Sequence, residues 1–145
     1  MPVITQRLRV TARLTELARV RQFVHGCALR EGLPERETFA CELAADEAFV
    51  NIVVHAYGGE SDGPVFVRCR GVANGLLISF VDEGMAWDPT PPSAPPWEST
   101  ETEITVGGLG RLIIHRAMDG VRFTRRGNRN ILSMCKFRPG FSPAE

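Results

Sequence analysis

Three groups of residues have the types and spacing that chemistry requires. The first is Glu47, Asn51 and His55, four residues apart, which line up on one side of a helix. Phe39, Leu43 and Val50 flank that row on one side and Ala44, Ala48 and Ile52 on the other, while Glu42 and Asp46 point elsewhere, towards solvent. A polar row between apolar flanks is half-buried. An unpartnered buried carboxylate costs on the order of several kcal/mol, so a ligand, a cation or a hydrogen-bond network belongs there. An arginine from another element paired with Glu47 would account for the pattern equally well.

The second group is Asp82-Glu83-Gly84, at the end of the apolar run Leu76-Leu77-Ile78-Ser79-Phe80-Val81. A strand-end aspartate beside a glycine can accept a hydrogen bond from an amino group such as adenine N6, and it would repel the acceptor that guanine presents at the same position. Asp-x-Gly is also a common turn. The third group is Gly107-Gly108-Leu109-Gly110 ahead of an apolar helical pattern. Closely spaced glycines at a helix start let backbone N–H groups approach anionic oxygens. They equally make a hinge. No Gly-Lys-Ser/Thr follows, so the run is not a Walker A loop.

The elements that must position these groups follow from periodicity. Residues 3–10 alternate as a strand, and Leu14, Leu17, Ala18, Val20, Phe23, Val24 and Cys27 recur at helical spacing up to a stop at Gly32. Pro34 suits the first turn of a second helix, which runs to Gly58-Gly59 and whose β-branched end (Val50, Ile52, Val53, Val54) depends on packing. Strands at 65–70 and 76–82 flank Asn74-Gly75, a hairpin pair. Residues 88–106 hold Pro89, Pro91, Pro92, Pro95 and Pro96, a loop long enough to be functional. A helix closed by Gly120 and a last hairpin, 121–124 and 131–137 with a turn through Gly127-Asn128, complete the order β-α-α-β-β-loop-α-β-β. That order predicts an α+β fold, a two-layer α/β sandwich with helices covering one face of a mixed, mostly antiparallel sheet.

Bulk composition sets limits. A chain of 145 residues, 43% hydrophobic, has room for one ordinary domain, residues 1–145. Seventeen basic and seventeen acidic residues cancel, so no bulk attraction to nucleic acid or to an anionic membrane is expected. Arg122, Arg125, Arg126 and Arg129 form a local cluster, read as a solvated hairpin face. No signal peptide or membrane span is visible. Cys27, Cys41, Cys69 and Cys135 lack metal-ligand spacing, which fits reduced thiols in a cytoplasmic protein and argues against zinc.

The order of the three groups resembles the GHKL, or Bergerat-fold, ATPases, and within them the bacterial anti-sigma-factor serine/threonine kinases. The segment from Asp46 to Tyr57 is similar to their N box, the segment from Asp82 to Pro89, with its aromatic-Asp-Pro end, to the next box, and the glycines from Gly107 to Gly110 to the last. The resemblance runs from about Leu8 to Phe137.

What it implies is specific. Asn51 ligates a Mg²⁺ that bridges the phosphates of ATP; Glu47 is the general base on an acceptor hydroxyl; Asp82 reads adenine, with Gly84 permitting close approach. Gly108, Leu109 and Gly110 contact phosphates, residues 89–106 form the ATP lid, and Ser133 stands where the family has a threonine near the aspartate. The phosphoacceptor is a Ser or Thr on an anti-sigma-factor antagonist of the STAS type, the other partner is a sigma factor, and the kinase works as a homodimer. Trp87 replaces the common phenylalanine, and Arg111, in a place often apolar, is read as a solvated helix residue rather than a phosphate ligand. A nucleotide-gated module that sequesters a partner without phosphorylating it is the main rival. The ATP domain of a sensor histidine kinase fits less well, because no phosphoacceptor helix pair precedes the motifs.

Overall fold

The alternation at the start of the chain forms β1 (Thr5–Thr11), and a 3₁₀ turn at Leu14–Glu16 leads into α1 (Leu17–Arg30). The computed structural model describes residues 4–87 and 108–141. Gly32 ends α1 as expected, taking the left-handed conformation (φ 71°) while its N–H bonds Leu29 O and the N–H of Leu33 bonds Ala28 O. This is the paired closure that favours glycine one residue past a helix. α2 (Glu35–Asn51) starts directly after Pro34.

The β-branched end of α2 does not continue as an α-helix. Ile52–Ala56 forms a π turn, with Tyr57 N–H bonding Ile52 O at 3.1 Å and Gly59 N–H bonding Val53 O at 2.8 Å. Ile52 and Val53 are buried, so packing holds a run that propensity disfavours. Such wide turns concentrate at functional sites. Here it begins immediately after Asn51 and takes His55 out of the α-helical row that Glu47 and Asn51 share.

β2 (Pro64–Val72) and β3 (Gly75–Asp82) form a hairpin whose turn is Ala73-Asn74, one residue earlier than expected, with Asn74 in the left-handed region (φ 61°). α3 (Gly108–Ala117) is followed by β4 (Gly120–Arg126) and β5 (Arg129–Phe137), with Gly127 at φ 59° in the turn. The strand order is β1-β2-β3-β5-β4. All four pairings are antiparallel, so the sheet is uniform where mixed character was anticipated. The return of β5 beside β3 sets Asp82 directly opposite Asn130.

One face of the sheet carries the core. Val65, Val67 and Cys69 of β2, Leu76, Ile78 and Phe80 of β3, and Leu132 and Met134 of β5 are buried with Val20 and Val24 of α1, Ala44, Ala45 and Ala48 of α2, and Ile114 of α3. Each fully buried large side chain among them contributes about 1.5–3 kcal/mol. Cys41 joins this core, and burial pushes its thiol up to about 12, so it behaves as a small apolar group. The helices thus form the second layer on that face, as the pattern predicted. Among the described residues no helix is long and apolar enough to cross a membrane.

Candidate functional site

Asp82 ends β3 almost fully buried. Its Oδ1 accepts from the N–H of Gly84 at 2.9 Å and from Asn130 Nδ2 at 2.7 Å, and the Trp87 indole N–H reaches Oδ2 at a longer 3.4 Å. One carboxylate oxygen is therefore held by two firm bonds while the other, among the described residues, has only a weak donor. The Asp-x-Gly turn and a strongly positioned acceptor coexist here.

Asn130 was not anticipated. It is buried, and Nδ2 also donates to Met85 O at 2.8 Å. Arg125 Nη1 bridges Asn130 Oδ1 (2.9 Å) and Gly84 O (3.0 Å), and Arg129 pairs with Glu83 at 3.1 Å. Two arginines of the hairpin expected to be merely solvated thus brace the Asp-x-Gly loop. Ser133, the residue expected near Asp82, is on the opposite face of the sheet, where its hydroxyl lies 3.2 Å from that of Ser79. The physical reason is parity: an odd offset from Asn130 reverses the face on which a strand residue stands. The buried partners Leu132 and Met134 carry that parity in the sequence itself.

Gly84 packs on the end of the second helix. A Cβ built there would collide with the carbonyl oxygen of Ala56 and lie 2.8 Å from its Cβ, and the N–H of Met85 bonds that same carbonyl at 2.8 Å. The close approach the glycine permits is thus first to the backbone of the π turn. Tyr57 locks the corner: its hydroxyl donates to Pro64 O (2.7 Å) and accepts from the N–H of Glu83 (2.8 Å). Tyr57→Phe strands that N–H and that carbonyl, and is expected to lower stability by about 1–3 kcal/mol in urea unfolding. An unchanged unfolding midpoint would show that water replaces the hydroxyl.

Glu47 and Asn51 share α2 and face the first turn of α3. A Cβ built on Gly110 would stand 2.5 Å from Glu47 Oε2 and 3.7 Å from Asn51 Nδ2, so the bare glycine lets the helix start come up to both side chains. Gly108 and Leu109 lie in that same first turn, whose N–H groups have no partner within the helix. Burial first, and the neighbouring Asp46 second, push the Glu47 carboxyl above its usual range. The arginine that could have neutralised Glu47 goes to Asp46: Arg21 of α1 holds Asp46 through Nε and Nη2, the latter at 2.8 Å. Glu42 likewise turns to His25 of α1 at 3.5 Å, so Glu42 and Asp46 tie the two helices together where solvent exposure was expected. Among the described residues no ion pair reaches Glu47.

Asn51 is buried, and its Nδ2 has no hydrogen-bond partner among the described residues. A buried amide normally finds one. Turning the amide about its last bond exchanges Nδ2 for Oδ1, so this position can offer an oxygen to a hard cation. Mg²⁺ takes few protein groups and keeps water and phosphate oxygens, and the residues present fit it. Among the described residues there is no group of three or more His, Cys, Asp or Glu that could cage a metal. His55 is half-buried in the π turn, and Arg111 is half-buried in α3 instead of fully solvated. Residues 88–107, which include the 89–106 segment expected to form the ATP lid as well as Asp88 and Gly107, lie outside the described residues.

The site therefore has a buried hydrogen-bond acceptor at Asp82, and at α2 and α3 a raised carboxylate, an amide nitrogen without a partner among the described residues, and a glycine-opened helix start. Residues 10–136 match the histidine kinase-like ATPase domain. The serine/threonine-protein kinase BtrW of Bordetella bronchiseptica is 27% identical over 130 residues, covering 90% of this chain and 92% of that protein. The anti-sigma F factor of Halalkalibacterium halodurans is 29% identical over 81 residues, 56% of each chain. Among solved structures, that of the RsbU and RsbW domains of Rv1364c from Mycobacterium tuberculosis superposes with a TM-score of 0.64 at 16% identity, a likeness of fold; it covers 94% of this chain and 32% of that one.

Proposed function

Since the chain belongs to the histidine kinase-like ATPase domain family, we propose that it is a Mg-ATP-dependent protein serine/threonine kinase that regulates a sigma factor by partner switching. The observation that carries the proposal is that a desolvated Glu47 and the buried amide of Asn51 lie together at the glycine start of α3, the first without a counter-charge and the second without an Nδ2 partner among the described residues. Asp82 accepts a hydrogen bond from the adenine amino group through Oδ2, its more weakly held oxygen. The first-turn N–H groups of Gly108, Leu109 and Gly110 hold phosphate oxygens.

Asn51 holds Mg²⁺, which when bound neutralises charge on the phosphates. Glu47 orients an acceptor hydroxyl and takes its proton as the oxygen bonds to the γ-phosphorus and the β–γ bridge breaks to release ADP. The serine/threonine-kinase relative supports a Ser or Thr acceptor, and the anti-sigma relative supports a sigma factor as the regulated partner. The reading goes further in placing that acceptor on a STAS-type anti-sigma-factor antagonist, exchanged for the sigma factor. The reading extends to a single domain over residues 1–145, acting in the cytoplasm as a homodimer.

The test combines the protein with candidate antagonists, labelled ATP and Mg²⁺. Label on an antagonist Ser or Thr is expected, and Asn51→Ala is expected to abolish the Mg²⁺ dependence of ATP binding. ATP binding without any transferred label would leave the sequestering module as the function.

A further inference from the structure

The face of the sheet turned away from the helices gathers arginines from four strands. Alternation directs Arg7 and Arg9 of β1, Arg68 and Arg70 of β2, Arg122 and Arg126 of β4, and Arg129 of β5 to that side, and all seven are exposed. The strands contribute no carboxylate to it: Asp82, the one acidic residue in the five strands, faces inward. Of the seven only Arg129 has an ion pair among the described residues, to Glu83.

The register makes this arrangement costly. Arg7 is paired directly across from Arg68, and Arg126 from Arg129. Like charges directly opposite each other destabilise a sheet. A chain with no net charge has thus concentrated positive charge on one face at the expense of stability.

Between the two arginine groups runs a strip of Phe66, Leu77, Val81 and Ile131, half-buried or buried, with Ser79 and Ser133. Two hollows open along it. One of about 430 Å³ lies among Arg7, Arg9, Phe66, Arg68 and Arg129, and one of about 270 Å³ among Arg68, Arg70, Leu77 and Ser79. An apolar centre with arginines around it has the make-up of a protein interface.

We propose that this face docks an acidic protein segment, its carboxylates taken by the two arginine groups and its apolar side chains by the strip between them. Charge complementarity selects the partner, since guanidinium forks match carboxylates in geometry. A second copy of the chain would set arginine against arginine. Nucleic acid is less suited, because the strip has a single aromatic, Phe66, and Arg9 and Arg129 lie over its ring at 5.5 and 5.6 Å, leaving no open platform for a base. A membrane surface would need protruding apolar side chains, and those of the strip are recessed. The surface is opposite Glu47, Asn51 and Asp82, so the inference stands independently of the nucleotide reading.

The test is fluorescence anisotropy with a labelled peptide alternating glutamate and leucine, at physiological salt. The peptide is expected to bind the wild-type chain, and Arg68→Glu/Arg122→Glu to weaken it about tenfold or more. The milder Arg68→Gln/Arg122→Gln is expected to weaken it less. Arg36→Glu, on the exposed side of α2, is expected to leave it unchanged, and circular dichroism checks that each variant folds. Failure of the peptide to bind, or an equal loss in Arg36→Glu, overturns the proposal. So does tighter binding of single-stranded DNA or of phosphatidylserine vesicles, or a dimer of the chain that the double glutamate variant dissociates.

Discussion

Glu47→Gln is expected to reduce phosphoryl transfer by about 10²–10⁴-fold while leaving Mg-ATP affinity nearly unchanged. The amide keeps the size of the side chain and one accepting oxygen but cannot take a proton, so the loss should fall on kcat. The pH dependence has a definite sign. Burial raises the Glu47 carboxyl in the folded protein, so its protonated form is favoured there. The kcat/KM of the wild type, which reports groups of the free enzyme, should fall on the acid side through a pKa above the usual glutamate range, and that limb should vanish in Glu47→Gln. Stability follows the same linkage. The raised group contributes stability that is full below the unfolded glutamate pKa and is lost as pH rises through the folded value. Nucleotide-free Glu47→Gln should therefore melt above the wild type at neutral pH, with the gap closing in acid. Transfer that survives the substitution undiminished would remove Glu47 from the chemistry.

Asp82→Asn is expected to weaken ATP binding by about 10–100-fold, the scale of a lost hydrogen bond to a charged group. It should also erode discrimination against GTP, because the new amide can donate to the oxygen that the carboxylate repels. A fall in melting temperature should accompany this. The carboxylate accepts from Gly84, Asn130 and Trp87 together, and an amide has only one accepting atom to offer. Nucleotide titrations read the first two effects and thermal melts the third. ATP affinity equal to that of the wild type would mean that adenine is read elsewhere. Asn130→Ala separates the two roles: it releases one of the firm bonds on Oδ1 and leaves Oδ2, the atom assigned to adenine, in place.

Much of this protein was legible in its sequence because the relevant relations are local. Helical spacing alone put Glu47 and Asn51 on one side of α2, and the apolar run before Asp82 put that residue at a strand end. Gly32 and Gly127 marked their turns through backbone requirements that act over a few residues. The α+β class and the single covered face followed from alternation, since a strand with one apolar side must bury it.

What only the tertiary structure decided depends on partners distant in the chain. Asn130, rather than Ser133, meets Asp82 because the β3–β5 register pairs residues 48 positions apart. Asp46 rather than Glu47 takes the arginine because α1 packs where Arg21 can reach it, and that leaves the Glu47 carboxylate without a counter-charge among the described residues. The π turn after Asn51 arises where a β-branched run meets the packing demands of the core, a balance that propensity cannot weigh. The seven arginines are scattered between residues 7 and 129 and sum to nothing remarkable in a neutral chain; the sheet brings them to one face. Periodicity fixes which side of its own element a residue occupies, and register and packing fix what it meets there.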